Sequence, residues 1–95
     1  PSNIYPCADG VLVMISGNQD SVFKRLSAAM DQPALASDAR FIDHAARGAN
    51  MAVLDEIIGA WTTSLPSTEI LAKLEANDVP AGLAYRGPEM FADLH

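Results

Sequence analysis

Cysteine is nearly absent: the 95 residues contain one, Cys7. An internal disulfide is therefore excluded, and no zinc-ligand spacing can be drawn through Cys7, His44 and His95, which fits a reducing compartment. Aromatics are scarce, at one Trp, two Tyr and three Phe. A core must then be built from Ala, Leu, Ile, Val and Met, a composition that favours helices packed by aliphatic side chains. Basic residues number six against twelve acids, for a formal net charge of −6. Lys24, Arg25, Arg40, Arg47, Lys73 and Arg86 are scattered along the chain, so nothing favours a nucleic-acid backbone. No run approaches the roughly 20 apolar residues of a membrane helix, and no basic-then-apolar leader opens the sequence. These absences set the expectation of a cytoplasmic protein with no metal, membrane or nucleic-acid partner.

What is present reads as one folded domain over residues 1–95. Apolar residues make up 49% and charged ones 19%, a balance that supports a globular core and argues against disorder. Ile4 to Cys7 extends toward an Asp9-Gly10 turn, and Val11-Leu12-Val13-Met14-Ile15 is an unbroken, β-branched-rich run. This predicts a hairpin whose second strand is buried on both faces. After Gly17-Asn18, either Asn18 or Asp20 can cap a helix with Val22, Phe23, Leu26 and Met30 on one face, supported by an Asp20–Lys24 pair.

Pro33 ends that register, and short helical turns follow through Pro33–Ala36 and, after Ser37-Asp38, through Arg40-Phe41-Ile42. Gly48 reads as a break. Asn50 then caps a longer helix in which Leu54, Ile57, Ile58 and Trp61 form an apolar stripe, read as core. Pro66 closes it, and Ser67 or a neighbour starts another helix with Ile70, Leu71 and Leu74 inward and Glu69 paired with Lys73. Asn77-Asp78 stops that helix, Ala81 to Tyr85 reads as a returning strand, and Gly87-Pro88 opens a last turn through Met90, Phe91 and Leu94. Strands, then helices, then a strand predict an α+β domain: a small antiparallel sheet covered by several helices.

Little of this carries chemistry by itself. Cys7 has no base or positive field beside it in sequence and reads as a small buried hydrophobe. The carboxylates read as solvated helix faces, and Phe23, Trp61 and the four methionines as packing. Gly17-Asn18 and Val79-Pro80-Ala81-Gly82 fall where helices meet strands. Glycine there permits close backbone approach and proline fixes the turn, which is also ordinary turn chemistry.

Taken in order, Tyr5-Pro6-Cys7-Ala8-Asp9-Gly10, Gly17-Asn18, Asp38-Ala39-Arg40-Phe41, Arg47 with Asn50, and Val79-Pro80-Ala81-Gly82 resemble the small domain of the family III CoA-transferases. That group includes carnitine-CoA transferase, formyl-CoA transferase and α-methylacyl-CoA racemase. The resemblance runs from about Tyr5 to Phe91. It departs from the family pattern at Ala39 and Leu83, where members often carry proline, and at Asp93-Leu94, where they tend to have Asp-Pro.

The resemblance implies a non-catalytic role. Complete transferases of the group use an aspartate in a large upstream domain that attacks an acyl-CoA, passes through a mixed anhydride and an aspartyl-CoA thioester, and delivers CoA to another carboxylic acid, while the racemase branch instead moves an α-proton. No residue here matches that aspartate, so the catalytic set within this chain is empty and the large catalytic domain is absent from it. Gly17, Asn18, Pro80, Ala81 and Gly82 become candidates for a wall of the substrate site. Coenzyme A or acyl-CoA is then a substrate of the complete enzyme and is not bound by this acidic chain alone. The partners implied are the large domain of the same enzyme or a second copy in a homodimer. The alternatives are a stand-alone interaction or self-association module derived from that domain, or an unrelated small-molecule binder.

Overall fold

The computed structural model describes residues 2–16 and 19–84. Strands β1, Ser2–Pro6, and β2, Leu12–Ser16, form the expected antiparallel hairpin. Its turn closes through the Cys7 N–H to the Val11 carbonyl at 2.9 Å. Gly10 takes φ +81°, a left-handed conformation that glycine adopts without steric cost. Among the described residues four helices follow: α1, Asp20–Ala29; α2, His44–Ala49; α3, Met51–Thr62; and α4, Ser67–Ala76. A 3-10 turn at Pro33–Ser37 separates the first two. Strand β3, Ala81–Leu83, returns antiparallel to β2 and completes a three-stranded sheet in the order β1-β2-β3. The fold is the α+β arrangement expected, a small antiparallel sheet with helices packed on it. Tyr85 and the last turn through Met90, Phe91 and Leu94 lie outside the described residues.

The sheet is covered on one side only, which corrects the expectation for β2. Val13 and Ile15 are fully buried, whereas Leu12 and Met14 remain 39% and 46% exposed. This is the alternation of a half-covered antiparallel sheet. An unbroken apolar run hides that alternation, because its outward residues are apolar too. Ile4 pairs with Met14, and Met14 with Gly82, so these three positions share the outer face.

Beneath the inner face, Phe23 and Leu26 of α1, Leu54 and Ile58 of α3, and Ile70 and Leu74 of α4 meet Tyr5, Val13, Ile15, Phe41 and Val79 in one core. Cys7 is buried with them as a small hydrophobe, and burial pushes its thiol pKa up, with the Asp9 carboxylate adding to the rise. Trp61 departs from its expected place. The buried line of α3 runs Leu54, Ile58, Thr62, at i, i+4 and i+8, and leaves Ile57 and Trp61 half-buried on its flank. Thr62 tolerates that position because its hydroxyl donates to the Gly59 carbonyl at 3.1 Å.

The largest fully buried side chain is a charged one. Arg47, in the last turn of α2, is 2% exposed. Its guanidinium carbon lies 4.7 Å from the centre of the Phe23 ring. Nη1 donates to the Phe41 carbonyl at 3.1 Å and Nη2 to Asp20 Oδ1 at 2.6 Å. A buried charge is tolerated only when paired and hydrogen-bonded, and Asp20 and Phe41 supply those partners from two different segments. Phe41 meets Phe23 edge-on at 6.4 Å and carries the Arg40 guanidinium at 4.8 Å from its ring. Asp38 grips Arg40 through contacts of 3.1 and 2.9 Å, and that hydrogen bonding lowers the Asp38 pKa to about 2.

This knot accounts for several differences from the sequence reading. Asp20 bonds to Arg47 where a pair with Lys24 was expected. Gln19 occupies the capping position of α1 without a side-chain cap bond, and Asp20 is already helical. Arg40-Phe41-Ile42 forms a non-helical turn, set by the Asp38 carboxylate accepting from the Arg40 N–H at 2.9 Å. Gly48 lies inside α2, whose start is capped by Asp43 accepting from the Ala46 N–H at 2.7 Å. Such a cap contributes about 1 kcal/mol, enough to offset one helical glycine. Asn50 stands before α3 as expected, but its amide donates backward, to the Arg40 and Ala46 carbonyls at 3.1 and 3.0 Å.

The hairpin turn is fastened to α4. Pro66, in the capping position of α4, has no side-chain acceptor, and Asp9 supplies one from a distant part of the chain. Its carboxylate accepts from the Ser67 N–H at 3.1 Å, the Ser67 hydroxyl at 2.8 Å and the Val11 N–H at 3.2 Å. The Ala8 N–H adds a bond to the Leu65 carbonyl at 2.9 Å. At the other end of β1, the Tyr5 hydroxyl donates to Asp55 of α3 at 2.6 Å and Asn3 donates to the same carboxylate at 3.1 Å. Burial foremost, then this bond, raises the Tyr5 pKa. No helix among the described residues is long and apolar enough to cross a membrane.

The Asp9 contacts make stability depend on pH. The Ser67 hydroxyl bond, chiefly, lowers the Asp9 pKa below its ordinary value. A carboxylate depressed in the folded state contributes stability above its unfolded pKa of about 4, and that contribution is lost as pH falls through the folded value. Asp9→Asn is therefore expected to be less stable at pH 7 and to lose less stability than the unsubstituted chain between pH ~4 and pH ~2. Urea titrations at stepped pH check this; superimposable acid limbs would show that the contact carries no linkage.

Candidate active-site wall

The wall is built at one end of the sheet by the way α4 stops. Asp78 adopts φ +56°, and its N–H and that of Val79 reach back to the Glu75 and Leu74 carbonyls at 3.0 and 2.9 Å. This is the paired-bond ending that turns a helix sharply through one left-handed residue, and the apolar residue after it packs back on the last turn. Val79 does so, and is buried. The chain then enters Pro80-Ala81-Gly82 under two further restraints. Arg25 of α1 donates from Nε to the Asp78 carbonyl at 3.2 Å. The Ser16 N–H donates to the Pro80 carbonyl at 3.0 Å.

Between α4 and β3 an open groove of about 610 Å³ is lined by Leu71, Glu75, Asp78, Val79, Pro80, Ala81, Gly82 and Leu83. Three of the five sequence candidates, Pro80, Ala81 and Gly82, therefore line one concavity. Gly17 and Asn18 lie outside the described residues, but Ser16, directly before them, is bonded to Pro80. Leu71, expected to face inward, is half-buried on the groove side, while Glu75 and Asp78 are exposed, as expected of carboxylates on a solvated helix face. The signal available was the Asn77-Asp78 stop, since a helix ending against a strand leaves a cleft between the two.

The groove has aliphatic walls and two exposed carboxylates at its rim, a surface that suits a short carbon chain and repels phosphate. Among the described residues no three His, Cys, Asp or Glu side chains gather as a metal site. Five aspartates are already engaged structurally: Asp9 with Ser67, Asp20 with Arg47, Asp38 with Arg40, Asp43 with Ala46 and Asp55 with Tyr5.

The sequence pattern that defines "CoA-transferase family III" matches residues 1–95. The chain belongs to CoA-transferase family III. It is 46% identical over 95 residues to a succinyl-CoA–D-citramalate CoA-transferase of Chloroflexus aurantiacus, covering 100% of this chain and 24% of that one. It is 37% identical over 93 residues to a succinate–glutarate CoA-transferase of Agrobacterium fabrum, covering 98% and 23% respectively. Among solved structures, a CaiB/BaiF family protein from Brucella suis superposes with a TM-score of 0.84 at 32% identity, over 98% of this chain and 24% of that one. The chain thus spans about a quarter of the length of the curated relatives it matches.

Within the family III pattern, most of the recurring residues hold the fold. The Tyr5–Gly10 string ties β1 to α3 and caps α4, while Asp38, Arg40, Phe41, Arg47 and Asn50 form the knot around the buried guanidinium. Val79, Pro80, Ala81 and Gly82 are the described members of the pattern that line the groove.

The left-handed Asp78 offers a direct check on the geometry of the wall. Glycine adopts such a conformation without the steric cost that an L side chain bears, roughly 1–2 kcal/mol and less for aspartate. Asp78→Gly is expected to stabilise the chain by up to ~1 kcal/mol in urea denaturation. A loss of stability would contradict this account of how the groove is shaped.

Proposed function

We propose that this chain is the small domain of a CoA-transferase that exchanges CoA between short dicarboxylic acids, and that it contributes a wall of the acyl site and no catalytic group. The observation carrying the reading is the match along the full chain to enzymes named for succinyl-CoA, D-citramalate, succinate and glutarate, of which it spans only about a quarter. The remaining three quarters of such an enzyme have room for the large domain that the resemblance assigns to the nucleophilic aspartate and the aspartyl-CoA intermediate. The aspartates engaged in caps and ion pairs here support that division, since a carboxylate committed to a helix cap or a buried arginine is not free to attack a thioester.

The charge distribution argues against the CoA phosphates facing this chain. Arg47 is buried and Arg40 is held by Asp38, while the groove carries Glu75 and Asp78. CoA phosphates need Lys, Arg or helix N-termini, so they belong on the large domain. The exposed aliphatic face of the sheet also suits the alternative role of a self-associating module, which would place a second copy where the enzyme reading places the rest of the polypeptide.

The test is a replacement of the matching quarter of the D-citramalate enzyme by this chain. The chimera is expected to transfer CoA from succinyl-CoA to a dicarboxylic acid, while the 95-residue chain alone turns over nothing. A folded but inert chimera would contradict the reading. So would turnover by the isolated chain that falls by about a hundredfold or more, the scale of a lost acid–base group, when one of its own acids is replaced.

A further inference from the structure

Gly82 is a glycine for which the described residues supply no reason. Its φ is not in the left-handed range, and a Cβ built on it meets nothing within 4 Å. It sits in the middle of β3, where glycine weakens a strand by adding chain entropy and removing a packing side chain. Neither backbone conformation nor internal packing therefore accounts for it. Within a strand, the remaining use of a missing side chain is to let another body come close to the backbone.

The surroundings indicate what that body is. Gly82 pairs with Met14, which pairs on its other side with Ile4, so a side chain at 82 would stand on the exposed outer face beside Met14 and Ile4, 46% and 50% exposed. The same residue lines the groove with Leu71, Val79 and Leu83. Bare backbone thus lies where aliphatic surface and open groove meet. That combination fits the methylene segment of a short acyl group, which needs apolar contact and space, while the terminal carboxylate of a dicarboxylic acyl group lies away from Glu75 and Asp78, against a cation outside this chain.

We infer that Gly82 is a specificity-determining position, where the carbon chain of the acyl group passes against the backbone of β3. This rests on the proposed role of the chain as an acyl-site wall and adds the residue that sets the size of the site. Gly48 serves as the comparison: it too has open space at its Cβ and ordinary backbone angles, but it lies on α2, outside the groove.

The experiment places Gly82→Ala, Gly82→Val and Gly48→Ala in the D-citramalate chimera and, separately, in this chain. In the chain, all three are expected to leave the melting temperature unchanged or raise it. In the chimera, Gly82→Ala is expected to lower kcat/KM by about tenfold, and Gly82→Val by more, the scale of one misplaced methylene in an apolar pocket. The loss should be greater for glutarate than for succinate as acceptor, with isotope-labelled succinate reporting its otherwise silent exchange with succinyl-CoA, and Gly48→Ala should leave kcat/KM unaltered. A Gly82→Val chain that unfolds would show that the glycine is needed internally, and unchanged kcat/KM in an active chimera would show that nothing passes there; either overturns the inference. An unsubstituted chimera without activity would instead overturn the functional reading, and this inference with it.

Discussion

The buried guanidinium of Arg47 is the interaction on which the helical half of the molecule depends. A charge at 2% exposure would be strongly destabilising if its donors were left without acceptors. Asp20 at the start of α1 and the carbonyl of Phe41 must therefore both come to it, and Phe23 must lie beneath it. Three stretches of chain that are distant in sequence are brought to one point by the need to satisfy one side chain. Asn50 and the Asp38–Arg40 fork extend the constraint, holding the irregular segment between the 3-10 turn and α2 in one conformation without regular secondary structure.

That constraint reaches the candidate wall through α1. Asp20 fixes the first turn of the helix, and Arg25, in its second turn, holds the carbonyl of Asp78 where α4 turns toward β3. The sheet restrains the same corner from the other side, through Ser16 and Pro80. The groove is thus shaped by a helix ending and two hydrogen bonds, and of its lining side chains Val79, Leu71 and Leu83 also pack against the core. The engaged aspartates, the paired arginines and the buried tyrosine hold the domain together, and Ile4, Leu12 and Met14 of the aliphatic outer face are left exposed.

Much of this was legible in the sequence where local rules govern. The Asp9-Gly10 turn, the apolar face of α1, the start of α4 near Ser67 and the returning strand after Pro80 each follow from turn chemistry or a helical period. Two features were not, because they depend on distance in space. Arg47 reads as one of six scattered basic residues, since nothing local marks an arginine as buried, and its partners lie 27 and 6 positions away. The exposed face of β2 was hidden because Leu12 and Met14 are as apolar as Val13 and Ile15, so composition could not distinguish a strand covered twice from one covered once. Gly48 misled for a related reason: its cost to α2 is offset by a cap and by the anchoring of Arg47 one residue earlier. Of the site, the Pro80-Ala81-Gly82 segment was visible as a motif, while the α4 residues facing it became visible only once the helix had been placed.

Asp20 and Arg47 act as one unit in holding α1 to α2. A double-mutant cycle with Asp20→Ala, Arg47→Met and the pair, measured by urea unfolding, tests it most directly. Arg47 is buried but Asp20 is 65% exposed, and the Phe41 carbonyl still accepts from the guanidinium, so losing Asp20 costs less than the ~3–5 kcal/mol of breaking a fully buried pair. Asp20→Ala is expected to destabilise in the presence of Arg47 and to be mild once Arg47→Met is in place, with a coupling of roughly 1 kcal/mol or more. Additive losses, with coupling below about 0.5 kcal/mol, would contradict it.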